Sequence, residues 1–296
     1  MKTLLCAVAL LVLAANVGAN EAPPVLVIVH SDIGVETTGS GLVMLGISAW
    51  ANHSVNKQSA VKVARFQGAL ADMDLQSEAS RVFGCTFAGE GCDQAAFTDA
   101  AEFEAALAAR ADKTGVVVEI TPELVADQMM MRAISHAVLL SDKKTGKDKK
   151  PRLEQSAGYI AVFNTRPPAE VAALKKTNPA ELEQYWLKGE PRRIVSDARR
   201  GLVELNSLFV MLAKDGRADG KMPEAWKELP KVKEFKKTGR IACSGPAWCA
   251  STYVLKDNGD SFVLVSSGAT AGWFDAAAAA KETNLPFFAM MGIPGK

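Results

Sequence analysis

The period of hydrophobic and polar positions changes several times along the chain, and each change marks an element. A continuous β-branched run, VLVIV at Val25–Val29, predicts a central strand covered on both faces. A glycine-bearing segment, Thr37–Gly41, leads into the apolar stretch Leu42–Trp50, about half the length a bilayer needs and so a buried helix. Val63, Phe66, Leu70 and Met73 then recur at the spacing of one helix face. Asp99 with Glu102 has the form of a capping box, opening an alanine-rich helix from Ala100 to Ala111. Val116–Ile120 (VVVEI) predicts a second buried strand. Met129–Leu140 and Ser156–Phe163 flank the turn-forming Asp142–Lys147 (DKKTGK) and predict a long antiparallel hairpin with a basic, exposed tip.

Beyond Pro167 and Pro168 the texture becomes helical. Asn178, Pro179 and Glu181 supply a cap, a first-turn proline and an N3 acid in the favoured order. From Pro191 a longer helix places Ile194, Val195, Ala198, Leu202, Leu205, Phe209 and Leu212 on one stripe, with Arg192, Arg193, Asp197, Arg199, Arg200 and Glu204 on the other side. A short amphipathic piece surrounds Trp226 and Leu229. Ser251–Lys256 and Ser261–Ser266 flank Asn258 and Gly259, a strong hairpin signal. Ala276–Ala280 predicts a helix, and Leu285–Ile293 is an apolar end. Together these elements predict an α/β to α+β fold: a mixed β-sheet flanked by helices, with a helical and β-hairpin C-terminal extension. The boundary at Pro167 and Pro168 divides the chain into an α/β domain (20–167) and the extension (168–296), whose hairpin is free to extend the first sheet.

The first residues change the picture. Lys2 precedes an apolar run from Leu4 to Val17 and then small residues, with Val17 and Ala19 at the positions three and one before a cleavage point. This predicts a cleavable signal peptide over residues 1–19 and a periplasmic or secreted protein. Cys6 sits too near the start for a lipid anchor, and no later segment has the length of a membrane span. The precursor's net charge is +1, which falls to zero without Lys2, so nothing in the balance attracts nucleic acid and an integral membrane protein is not expected.

Export also frames the cysteines. Four remain in the mature chain, in two close pairs, Cys85 with Cys92 (CTFAGEGC) and Cys243 with Cys249 (CSGPAWC). Their gaps of six and five residues differ from the two of a thioredoxin-type motif. None of His30, His53 and His136 lies near either pair in sequence, as a zinc site would want. In an oxidising compartment the expectation is two local disulfides, each constraining the unfolded chain by about 2 kcal/mol.

Candidate chemistry is sparse. Gly39–Gly46 lacks G-x-G-x-x-G spacing, Thr145–Lys147 lacks the rest of a phosphate loop, and no Gly-x-Ser-x-Gly elbow occurs. His30 leaves the carboxyl end of a strand with Ser31 and Asp32 beside it, where ligands gather in α/β sheets. His136, in mid-strand, is read as a partly buried structural residue. Glu119 and Glu123 flank a strand end without a metal-like cluster. No cofactor and no metal ion is expected.

The order of VLVIV, the insert GSGLVMLGISAWANHSVNKQSA, VVVEI and the hairpin turning at DKKTGK resembles a class of bacterial envelope proteins. That class is distantly similar to the periplasmic α/β domains of the curli-secretion lipoprotein and of the amino-terminal part of the Tol-system propeller protein. The resemblance spans Val25 to Phe163 by element order. It implies a mixed sheet flanked by helices and a role in assembly or binding, and it carries over no functional residue. The chain departs from those domains in lacking a lipobox and in having two cysteine loops and a helical extension. The expected function is that of a non-enzymatic periplasmic binding or assembly factor for an envelope protein or cell-wall component. The alternative is a periplasmic hydrolase using His30 and Asp32 at a sheet edge.

Overall fold

The computed structural model describes residues 22–30, 73–88, 92–125, 128–141, 152–189, 191–243 and 246–281. The expected leader, Asp32, the segments Leu42–Trp50 and Val63–Leu70, the DKKTGK tip and the apolar end lie outside these residues. Seven strands form one mixed sheet: β1 (Val25–Val29), β2 (Thr114–Val125), β3 (Gln128–Ser141), β4 (Arg152–Thr165), β5 (Tyr253–Asp257), β6 (Ser261–Ser267) and β7 (Thr270–Asp275). Their order is β1-β2-β3-β4-β7-β6-β5. The β1–β2 and β4–β7 pairs are parallel and the rest antiparallel. The expected hairpin Met129–Phe163 is the β3–β4 pair, and the C-terminal hairpin joins the same sheet.

Helices flank the sheet: α1 (Leu75–Phe83), α2 (Ala100–Ala109), α3 (Ala169–Thr177), α4 (Pro179–Leu187), α5 (Arg193–Asp215), α6 (Glu224–Lys227), α7 (Val232–Lys236), α8 (Pro246–Ser251) and α9 (Ala276–Ala279). Asp99 caps α2 by accepting from the N–H groups of Ala101 and Glu102, and Asn178 caps α4 by accepting from that of Glu181. The long α5 lays its apolar stripe across β3, β4 and β7. Gly201 makes that contact close: a Cβ there would stand 2.6 Å from Met131 Sδ and 2.9 Å from Phe163 Cδ1. The helix gives up about 1 kcal/mol relative to alanine at that position for the tighter approach.

Strand alternation sorts the sheet into two faces. Under α1, α4 and α5 lies one continuous cluster that includes Val27, Val118, Met131, Phe163 and Trp273, with Phe163 stacked on Trp273 at 5.0 Å between ring centroids. The opposite face carries two separate clusters. Leu26, Val117, Val138 and Leu140 meet Phe103 and Leu107 of α2. Val162, Phe262, Leu264 and Phe274 meet Val232, Ile241 and the buried Cys243 and Cys249.

One expectation is corrected. β1 is an edge strand, not a central one. It reads as central because its outer margin is filled. Phe97 accepts from Val27 N and donates to Val25 O, while the Gln76 side-chain amide accepts from Val29 N at 2.9 Å and donates to Val27 O at 2.7 Å. A single side chain thus occupies the place of a neighbouring peptide group. The far edge is closed in the same way, Val254 N donating to Pro230 O and Val232 N to Thr252 O. Closed edges remove the template for strand addition.

Candidate functional site

Parallel pairing of β1 with β2 sets Ile28 opposite Glu119, and His30 N donates to Ile120 O at 2.9 Å, prolonging the register by one residue. Alternation puts Ile28, His30 and Glu119 on one face, the one with two clusters. There His30 Nε2 lies 3.1 Å from Glu119 Oε2, with side chains 46% and 35% exposed. Ile28 beside them is also exposed. Sequence proximity pointed to Asp32 as the partner of His30; the residue that the fold brings to it is Glu119, 89 positions along the chain. A carboxylate on an imidazole fixes its tautomer and orientation, but a pair this open to water is screened and interacts weakly.

A second polar group forms where the parallel strands β4 and β7 end together, with Asn164 opposite Phe274. Asp275, the cap of α9, takes three hydrogen bonds: from Thr165 Oγ1 at 2.6 Å and Arg166 N at 2.9 Å on Oδ2, and from Ala278 N at 2.6 Å on Oδ1. Asp197, in the first turns of α5, stands near enough to Asp275 for their charges to act on each other. Burial raises the Asp197 carboxyl above the usual range and the nearby Asp275 adds to it, while Arg200 and Arg193 oppose the shift. Burial likewise lowers Arg166, which Asp275 partly offsets. Arg193 lies over the Tyr185 ring at 4.2 Å and Arg200 over Trp273 at 4.3 Å. Two carboxyl groups thus stand together at the strand ends, one of them bonded by the Thr165 hydroxyl, and several arginines stand around them. Sequence periodicity placed Asp197 on the polar side of its helix but could not show what it faces.

Between the two clusters of the open face stands Arg132 on β3, 2% exposed, with Nε and Nη1 lacking an acceptor. Asn164 on β4 is 4% exposed and its Oδ1 lacks a donor. Neither belongs to a sequence motif; an arginine alternating with Met130 and Ile134 in a strand covered on both sides is the available signal. His136, on the same face, is buried, where partial burial was expected. Cys85–Cys92 and Cys243–Cys249 are disulfides, with Cα atoms 5.7 and 5.9 Å apart, each closing within its own loop. Among the described residues, no cluster of three or more His, Cys, Asp or Glu could hold a metal ion, and no helix is long and apolar enough to cross a membrane. No family model, curated protein or solved structure matches the chain.

Proposed function

We propose that the protein is exported to the periplasm of a bacterial envelope and acts there as a non-enzymatic binding or assembly factor. Its contact is the sheet corner formed by Ile28, Glu119 and His30, and its partner is an envelope protein. The observation that carries this reading is the joint exposure of an aliphatic side chain and a histidine–carboxylate pair on a strand whose own edge is already filled by Phe97 and Gln76. A partner would therefore meet the face of β1 and β2 and would not add a strand. Export is supported by the leader-like start and by two disulfides, which persist in oxidising compartments. Resemblance to the curli-secretion and Tol-system domains favours assembly.

The hydrolase alternative draws on the same contact, with Glu119 orienting His30 as a general base beside Asp32. Its weakness is solvent: the pair stands open to water, which screens the hold of the carboxylate on the imidazole. A photoreactive residue in place of Ile28, expressed in cells, should cross-link one discrete protein in the osmotic-shock fraction, whereas the same residue at the exposed Val203 of α5 should not. Recovery of uncleaved precursor in the inner-membrane pellet, cross-links to cell-wall material alone, or hydrolysis of chromogenic esters that His30→Ala abolishes would each overturn part of this reading.

A further inference from the structure

We infer that the open face of the sheet holds a binding site for a small oxyanion that also carries a hydrogen-bond donor, with Arg132 and Asn164 as its recognition pair. The register places Arg132 between Thr121 on β2 and Val162 on β4, and Asn164 two residues beyond Val162 on the same face. The two residues are therefore diagonal neighbours on adjacent strands. Their same-face neighbours on β3 and β4 include apolar residues that are all buried: Val162 is fully buried, Met130 is 4% exposed and Ile160 5%.

A guanidinium in such a place is costly unless its N–H groups meet acceptors, because desolvation there is not offset by water. Two carboxylate positions of β2 stand diagonal to Arg132 in the strand pattern, Glu119 opposite Ile134 and Glu123 opposite Met130, and Glu119 is bonded to His30 instead. Asn164 offers an acceptor, yet its Oδ1 has no donor and the arginine's Nε and Nη1 have no acceptor. One buried patch thus presents unmet donors and an unmet acceptor together. An anion with two oxygens satisfies the guanidinium, whose planar fork suits carboxylate and phosphate. Asn164 Oδ1 adds a condition, since it rewards only a ligand that carries a proton of its own. Residues this buried favour a small ligand, such as hydrogen phosphate or a short hydroxycarboxylate. Sulfate has the shape and charge but, fully ionised, no proton to give.

Calorimetric titration of the full mature protein with inorganic phosphate, lactate and sulfate tests the assignment. Saturable binding of phosphate or lactate is expected, with sulfate weaker; phosphate alone or lactate alone identifies which of the two oxyanion classes is the ligand. Arg132→Met should weaken binding about 10-fold to 100-fold, the range for hydrogen bonds to a charged group. Arg132→Lys, which keeps the charge without the fork, should also lose most of it. Asn164→Leu should bring the donor-carrying anion down to the level of sulfate while leaving sulfate unchanged. The Arg132→Met protein, freed of an uncompensated charge, should melt no lower than the wild type in the absence of anion. Absence of saturable binding to all three anions, or equal affinity in Arg132→Met, overturns the site. Equal affinity for sulfate and phosphate in the wild type overturns the role of Asn164. Neither result bears on the corner at Ile28, which the cross-linking experiment tests separately.

Discussion

The two faces of the sheet are built to different rules. One is sealed by α1, α4 and α5, and its strand positions from Val27 to Trp273 belong to one apolar cluster. The other is covered piecemeal, by α2 at the β1–β3 end and by α7, α9 and the Cys243–Cys249 loop at the β5–β7 end. Between those covers stand Arg132, Asn164, His136 and Glu119, all with polar atoms that an apolar helix face could not have accommodated. On the sealed face Ser135 receives the Tyr159 N–H and Thr165 bridges to Asp275, while the buried Trp186 Nε1 has no acceptor. The contrast teaches where function is to be sought. The face with two clusters is the one on which a buried charged group lacks partners, and there Arg132 and Asn164 present unmet donors and an unmet acceptor together.

Truncation should separate the faces first and most strongly. Phe163 is fully buried on the sealed face, stacked on Trp273 and in contact with the Gly201 groove of α5. Phe163→Ala should lower unfolding stability by about 3 to 5 kcal/mol in urea titration, since the helix and sheet cannot collapse into the space. Arg132→Met, one strand away on the other face, should cost nothing comparable. Equal losses at both positions would mean that the open face is as integral to the core as the sealed one.

The disulfides sharpen the same contrast at smaller scale. Cys243 and Cys249 lie buried in an open-face cluster, whereas Cys85 and Cys92 are partly exposed beside α1. Both loops are short, so each bridge should contribute about 2 kcal/mol through the unfolded chain. Replacing Cys243 and Cys249 together by alanine should cost about 3 kcal/mol, because buried sulfur contacts are lost as well. The Cys85→Ala/Cys92→Ala protein should lose only about 2 kcal/mol. Equal midpoints in thermal or urea unfolding would show that the open-face cluster gains little from its sulfur packing.

The long periodic elements were legible before any coordinates. The stripe from Ile194 to Leu212 specified α5, the alternation either side of DKKTGK specified the β3–β4 pair, and the cysteine spacing specified both bridges. β7 was not legible, because TAGWFD has little strand character of its own; it is extended because it slots between β4 and β6. The helical turn α8 hid inside the second cysteine loop, and α1 was hidden by its polar residues. The Gln76 edge seal could not be read at all, since it depends on a side chain arriving from 49 residues away. The same holds for the polar sites. His30 was visible as a strand-end residue, but its partner Glu119 is defined by the parallel register, and the meeting of Asp197 with Thr165 and Asp275 by the docking of α5.

That last meeting gives the smallest effect and the most direct reading of the sealed face's polar margin. Burial, reinforced by the Asp275 charge, raises the Asp197 carboxyl above its usual range, against Arg200 and Arg193. The folded protein therefore holds this proton more tightly than the unfolded chain does. The stability linked to it is fully present below the unfolded carboxyl pKa and is lost as pH rises through the elevated folded value. Asp197→Asn keeps the size of the side chain and never ionises. The variant should be more stable than the wild type at neutral pH, by no more than about 1 kcal/mol, and the difference should vanish in acid below the ordinary carboxylate range. Parallel urea titrations from acid to neutral pH would reveal it. A variant less stable than the wild type at neutral pH would mean that Asp197 is held as a carboxylate by Arg200 and Arg193. The network at the end of β4 and β7 would then be an ion cluster, and burial would not set its protonation.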